Sequence, residues 1–252
     1  TRFERICLLD PATGDLEEIS GIAGLDYDSV DRWGSHEDLA IVRYQSPKDN
    51  LRFLNAEAEE TYRWLGTLFP GTQFSCESFS QDDQRIIVRC WSDQNPGVYF
   101  LVDRTTKKAT PLGLVRAGVN PNQMAPSKFF QFKTSDGLPL TGRINLPANV
   151  AKPPLILFTG ASLAQAASDD FIPEVQFFVS HGYAVARINH RGTIGFGLDF
   201  GQAGDMQVAT GMANDLIEGV KWLGDQGWID PQRVGLFTVD SGALIGLQLA
   251  VR

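Results

Sequence analysis

Hydrophobic and polar positions follow two different patterns along this chain. From Thr1 to about Val119, short apolar runs alternate with clusters of Asp, Gly, Pro and Asn. ERICLLD, LAIVRY, RIIVRCW and GVYFLVD have the length and the β-branched or aromatic content of strands, and turn-forming residues bound each of them. LLDPATGDLEEISG at Leu8 returns as LVDRTTKKATPLG at Leu101, a shift of 93 residues, and LAIV at Leu39 returns as RIIV at Arg85, a shift of 46. One period taken twice and once, built of strands and turns, is what propeller blades produce. An irregular β-sandwich with a chance echo is the alternative. One stretch breaks the pattern: NAEAEETYRWLGTLFPG predicts a helix with Tyr62, Leu65 and Phe69 on one side and a Pro-Gly stop.

After ANVAKPP the pattern changes. PLILFTG is a continuous apolar run of the kind buried on both faces of a parallel sheet. DDFIPEVQFFVSHGY predicts a helix with two Asp as candidate N-caps, Pro173 in the first turn and Gly182 just past the end. YAVARIN and VGLFTV are further strands. MANDLIEGVKWLGDQG places Met212, Leu216, Val220 and Leu223 on one helical stripe, and SGALIGLQLAVR is a helix apolar almost all round, hence expected to be central. Strand and helix alternating three times predict a parallel sheet with helices on both faces. The preceding KFFQFKTSDGLPLTGRINLP reads as an antiparallel hairpin turning at Asp136-Gly137.

Composition adds exclusions. With 43% hydrophobic and 21% charged residues, the chain is an ordinary globular one. A formal net charge of -8 leaves no basic stripe for a nucleic acid. No run approaches the roughly 18 to 20 apolar residues that span a bilayer, so no membrane partner is expected. The three cysteines, Cys7, Cys76 and Cys90, lie in strand-like runs without metal-ligand spacing and are expected to be buried free thiols. That favours the cytoplasm. No metal or cofactor motif is present.

The chemistry concentrates in GLFTVDSGALIG, a strand running into a sharp turn and an apolar helix. Hydrolases place a nucleophilic serine at such an apex in the pattern G-x-S-x-G, with small residues after it so that strand and helix close. Asp240 fits the apex, because Gly242 and Ala243 then supply the small positions; with Ser241 as apex, Ala243 and Leu244 would fall there. A carboxylate at this place is expected to cap the helix that follows, and its charge would oppose an oxyanion.

The spaced segments VNPNQMAPSKFFQFKTSDGLPLTGRINLP, EVQFFVSHGYAVARINHRGTIGFG and DLIEGVKWLGDQGWIDPQRVGLF resemble, in this order, the prolyl oligopeptidase family in its acylaminoacyl-peptidase-like branch. The resemblance covers about Asn120 to Arg252 well and the preceding part loosely. It implies a partial α/β-hydrolase fold over 123–252 preceded over 1–122 by two or three blades of a β-propeller. It also shows where this chain departs. The family's H-G-G-P is here Thr159, Gly160, Ala161 and Ser162; its W-G-G is Val208, Ala209 and Thr210; its G-G-S-Y-G-G is Thr238, Val239, Asp240, Ser241, Gly242 and Ala243. Thr159, Gly160, Ala161 and Ser241 thus hold the positions of the oxyanion hole, and Asp240 that of the nucleophile.

The family's acid and histidine follow the nucleophile helix, and this chain stops at Arg252. His36, His181 and His190 are expected to be structural, His181 as a helix-end cap. The leading expectation is a catalytically degenerate relative whose cleft, between propeller and hydrolase parts, binds a peptide or a small acyl compound. Two alternatives stand beside it. One is an active serine-type peptidase or esterase, or an Asp-nucleophile hydrolase, completed by a missing C-terminal segment. The other is an oligomerisation scaffold. In either case the Val234–Val239 strand is expected to need a second chain or a missing segment along its edge.

Overall fold

The computed structural model describes residues 2–44, 50–160, 162 and 164–251. They form two compact units, Glu4–Gln123 and Met124–Arg252, the second including Thr1–Phe3.

The first unit is antiparallel throughout. A hairpin joins β1 (Ile6–Leu9) to β2 (Leu16–Ser20), and a second sheet holds β3 (Tyr27–Trp33), β4 (Asp38–Tyr44) and β5 (Asn50–Phe53). After the helix α1 (Ala56–Leu68), β6 (Gln73–Phe79), β7 (Arg85–Trp91), β8 (Val98–Asp103) and β9 (Lys108–Leu114) form a four-stranded meander. Among the described residues these sheets do not close into a ring. The echo in the sequence is an echo in the backbone. Asp10 and Asp103, 93 residues apart, each accept a hydrogen bond from the N–H two residues on, at 2.8 and 2.9 Å. Gly14 and Lys107, at the same shift, both take positive φ (77° and 56°). Glu37 and Asp83 do likewise at the shift of 46, with φ of 56° and 54°. Equivalent turns thus recur at equivalent places.

Asn55 caps α1 by accepting from the Ala58 N–H at 3.0 Å. Its apolar stripe of Tyr62, Leu65 and Phe69 is buried with Trp33, Ile41, Phe74, Ile86 and Val102. The Tyr62 hydroxyl donates to the Phe74 carbonyl and accepts from Arg43, which also grips Asp31. Burial raises the Tyr62 pKa to about 12 against the opposing pull of Arg43. Of the cysteines, Cys90 is buried and Cys76 half-buried, but Cys7 is exposed, contrary to expectation. It lies in a two-stranded ribbon whose residues Cys7 to Leu9 are all exposed, so an apolar strand pattern did not translate into burial there.

The second unit is a five-stranded mixed sheet ordered β10-β11-β13-β12-β14. The strands β10 (Ser127–Lys133) and β11 (Pro139–Asn145) are the antiparallel hairpin, with Gly137 at φ 87° in the turn. The other three are β12 (Pro154–Thr159), β13 (Ala184–Asn189) and β14 (Asp230–Thr238), parallel to one another as expected. On one face α2 (Pro173–Ser180) packs Val175 and Val179 on Ile156 and Val185. After the short α3 (Leu198–Gln202), α4 (Ala213–Asp225) and α5 (Ala243–Ala250) share the other core, with Leu216, Leu223 and Ile245 packed with Leu155 and Leu157.

Two expectations fail here. Neither Asp169 nor Asp170 caps α2; Ile172 holds that position with Pro173 first in the helix, while Asp169 is 2.5 Å from the buried Arg143. Nor is α5 enclosed. Leu244, Leu247 and Val251 are exposed, and β14 is an outer strand with Val234 and Leu236 exposed. An all-round apolar helix is central only when a layer covers its second side, and among the described residues none does. No helix among the described residues is long and apolar enough to cross a membrane.

Candidate functional site

The candidate site is built where β14 turns into α5. Val239 is still extended (φ -128°, ψ 138°). Asp240 then takes φ 52°, the left-handed conformation that costs an L-residue roughly 1 kcal/mol or more and that Asp and Asn tolerate best after glycine. One turn of 3-10 helix over Asp240–Gly242 leads into α5. The apex of the turn is therefore Asp240, and Ser241 follows it, half-buried.

Close packing explains the residues behind the apex. A Cβ on Gly242 would lie 2.3 Å from the Gly160 carbonyl oxygen and 2.9 Å from that of Thr159. A Cβ on Gly246 would lie 2.3 Å from Cγ2 of Thr238. The end of β12 is stitched to the turn: the Val239 N–H donates to the Thr159 carbonyl (3.4 Å), and the Thr159 hydroxyl donates to the Gly242 carbonyl (3.2 Å). Thr159 is thus buried structure with its hydroxyl engaged. Gly160 is beside the turn, and Ala161 lies outside the described residues.

The expected helix cap by Asp240 is not found. No side-chain cap hydrogen bond starts either the 3-10 turn or α5, and the α5 N-cap position falls to Gly242. The left-handed apex and the extra turn move the start of the helix two residues beyond Asp240. Its side chain is exposed.

A cavity of about 220 Å³ opens beside this turn, at the carboxyl ends of the parallel strands, where ligands of open α/β sheets bind. Phe158, Ile172 and Ile188 give it apolar walls; Gln165, Arg187, Asn189 and His190 bring polar groups. A larger, shallower hollow of about 550 Å³ lies at the opposite ends of the same strands, against Phe177 and His181 of the α2 terminus. It is remote from the turn.

His190 is 6% exposed, and its Nδ1 lies 2.6 Å from the Arg191 carbonyl. Burial lowers its pKa, opposed by that hydrogen bond and by the Asp215 charge. Behind it, Arg191 makes a two-pronged ion pair with the fully buried Asp215 (2.7 to 3.1 Å) and reaches Asp136 in the hairpin turn at 2.9 Å. His181 caps the end of α2 as expected, its Nδ1 2.8 Å from the Phe177 carbonyl, and His36 is exposed in the first unit. Sequence reasoning missed the cavity contributors Arg187 and Asn189. All six residues of β13 are buried, so its polar members had no alternation to betray them. A signal existed in the pairing of Arg143 with Arg187 across neighbouring strands, visible only once the register is known.

Residues 169–242, from the loop before α2 to the turn itself, match the model of the prolyl oligopeptidase family. Over that segment the chain is similar to this family. Dipeptidyl aminopeptidase BIII of Pseudoxanthomonas mexicana is 28% identical over 238 residues, covering 91% of this chain and 31% of the relative. The chain therefore spans about a third of the curated relative it matches. Among solved structures, a puromycin-hydrolyzing peptidase of Mycobacterium tuberculosis matches 98% of this chain at TM-score 0.74 and 16% identity, over 39% of its own length. Prolyl oligopeptidase B of Galerina marginata matches 98% at TM-score 0.71 and 17% identity, over 35% of its own length. The likeness in sequence is to peptidases. At these identities the structural matches speak for the fold alone.

Proposed function

We propose that this chain is a binding relative of the serine peptidases in which Asp240 has replaced the nucleophile. The supporting observation is the conformation of Asp240: it alone of Asp240 and Ser241 takes the left-handed apex, so the serine does not stand where attack would occur. An ionised carboxylate at that point disfavours the negative charge of a tetrahedral intermediate. It attracts a cation instead, such as the free amine of a peptide or an aminoacyl compound. Thr159, Gly160 and Ser241 then stand at an oxyanion position that no longer serves acyl transfer. In this reading 123–252 is part of an α/β-hydrolase domain and 1–122 contributes two or three propeller blades. The exposed edge of β14 is covered by further polypeptide or a second chain, since an apolar outer strand left open invites association. Three free thiols suit a reducing compartment.

The experiment is the affinity of an aminoacyl amide for the wild type and for Asp240→Asn. The reading predicts weaker binding by the asparagine variant; equal affinity rejects the cation site. A second reading draws support from the missing cap: an exposed carboxylate at the apex is free to attack, as in Asp-nucleophile hydrolases. Single turnover in ¹⁸O-water separates the two, because a nucleophilic Asp240 would acquire the label.

A further inference from the structure

The hairpin turn between β10 and β11 carries an inference that stands apart from the cation site. Asp136-Gly137 is the one Asp-Gly pair in the sequence, which has no Asn-Gly. Glycine has no Cβ to shield its backbone nitrogen, so at such a pair that nitrogen can attack the aspartate side chain with little steric hindrance. Both residues are exposed, and a Cβ on Gly137 would meet nothing within 4 Å. The fold nevertheless engages each reacting group elsewhere. The Gly137 N–H donates to the Thr134 carbonyl at 2.9 Å. One oxygen of the Asp136 carboxylate accepts from the Thr134 hydroxyl, the other from the Arg191 guanidinium at 2.9 Å. That hydroxyl also accepts from the Leu138 N–H at 3.0 Å, which ties the two ends of the turn together.

We infer that Asp136 is a site of spontaneous backbone isomerisation and that Arg191, by holding its carboxylate, sets the rate. The Gly137 nitrogen bonds to Cγ of Asp136, the bond from Cγ to its hydroxyl breaks, and that hydroxyl leaves as water with the amide proton. A five-membered imide results. Water then adds back at one of its two carbonyls. Opening at the main-chain carbonyl leaves the backbone running through Cγ, as isoaspartate; opening at Cγ restores aspartate. One water leaves and one returns, so no other reactant is needed. The reactive form is the neutral acid, and Thr134 first, then Arg191, hold the group at about 2, hence ionised at neutral pH. The other charged groups at the turn are Glu218, which accepts from the N–H and hydroxyl of Ser135, and Asp215 beside Arg191. Isoaspartate lengthens the main chain by one atom and shortens the carboxylate by a methylene, which removes both the Thr134–Gly137 hydrogen bond and the hold on Arg191.

The test is incubation of the full chain at neutral pH, followed by trypsin, which releases the turn as Thr134–Arg143. The isoaspartyl peptide keeps its mass and separates by chromatography. Folded wild type should isomerise at least about tenfold more slowly than the same chain in urea, and Arg191→Lys, which keeps a charge for Asp215 but loses the fork, should recover about tenfold of rate while folded. In urea the two proteins should match. Asp240-Ser241, read from the peptide Val234–Arg252 of the same digest, should be unmoved by Arg191→Lys. Equal rates for folded and unfolded wild type overturn the inference, as does an Arg191→Lys protein that is folded and no faster. An equal rise at both sites would show general loosening and overturn the part given to Arg191. Should Arg191→Lys fail to fold, the ratio of folded to unfolded wild type decides alone.

Discussion

Gly242 sits against the carbonyl oxygen of Gly160, so close that a single added methyl would come within 2.3 Å of it. This contact joins the turn after β14 to the end of β12 and fixes where the apex residue stands. Gly242→Ala should therefore destabilise the second unit by about 1 to 3 kcal/mol, the usual cost of overpacking. Gly66→Ala in α1 is the contrast: its Cβ meets nothing within 4 Å, and the helix should gain about 0.5 to 1 kcal/mol. Urea unfolding of the three proteins measures both, and equal stability for Gly242→Ala would deny the close approach.

The positive φ of Asp240 makes a second prediction. Asp240→Gly should be neutral or stabilising by up to about 1 kcal/mol, while Asp240→Val should lose about 1 to 2 kcal/mol, because a β-branched residue resists the left-handed region. Thermal unfolding in that order supports the strained apex. A valine variant as stable as wild type would place the apex elsewhere.

How far the sequence spoke can be judged from these residues. The hairpin at Asp136-Gly137, the three parallel strands and the stripe of Met212, Leu216 and Leu223 were legible, since turn chemistry and apolar period are local signals. The choice of Asp240 over Ser241 was legible through the small residues that follow. The role of its carboxylate was not. A cap depends on backbone angles two residues on, and the extra 3-10 turn that moves the helix start has no sequence mark. Exposure of Cys7 and of Leu247 was hidden for another reason: burial depends on what covers a strand or helix, and an apolar pattern states only what one side prefers.

Breaking the buried ion pair should be costly. Asp215→Ala takes the two-pronged partner from Arg191, which is partly exposed and keeps only Asp136, and about 1.5 to 3 kcal/mol should be lost. The hairpin turn should loosen too, because Arg191 also holds Asp136. Hydrogen exchange at Gly137 and Leu138, read with the unfolding free energy, checks both. A loss below 1 kcal/mol would mean the pair is not formed.

Two groups give the fold a pH dependence of known sign. The Thr134 hydroxyl, then Arg191, lowers the Asp136 carboxyl to about 2, so its contribution is present above the ordinary carboxylate range and lost as pH falls from about 4 through about 2. His190 is also lowered, by burial, so the unfolded chain binds a proton before the folded one does. Stability should fall as pH drops below about 6.5 toward the folded value. His190→Asn should remove the second decline and spare the first. A stability profile flat between pH 7 and 5 would contradict the buried neutral imidazole.

The most direct measurement of the central claim is peptide mapping by mass after exposure of the polypeptide, isolated at its natural length, to a serine-directed phosphonate. Trypsin releases the turn as the peptide Val234–Arg252. Asp240 at the apex predicts no mass increase on that peptide. A stoichiometric adduct on Ser241 would show a working serine nucleophile and contradict the account.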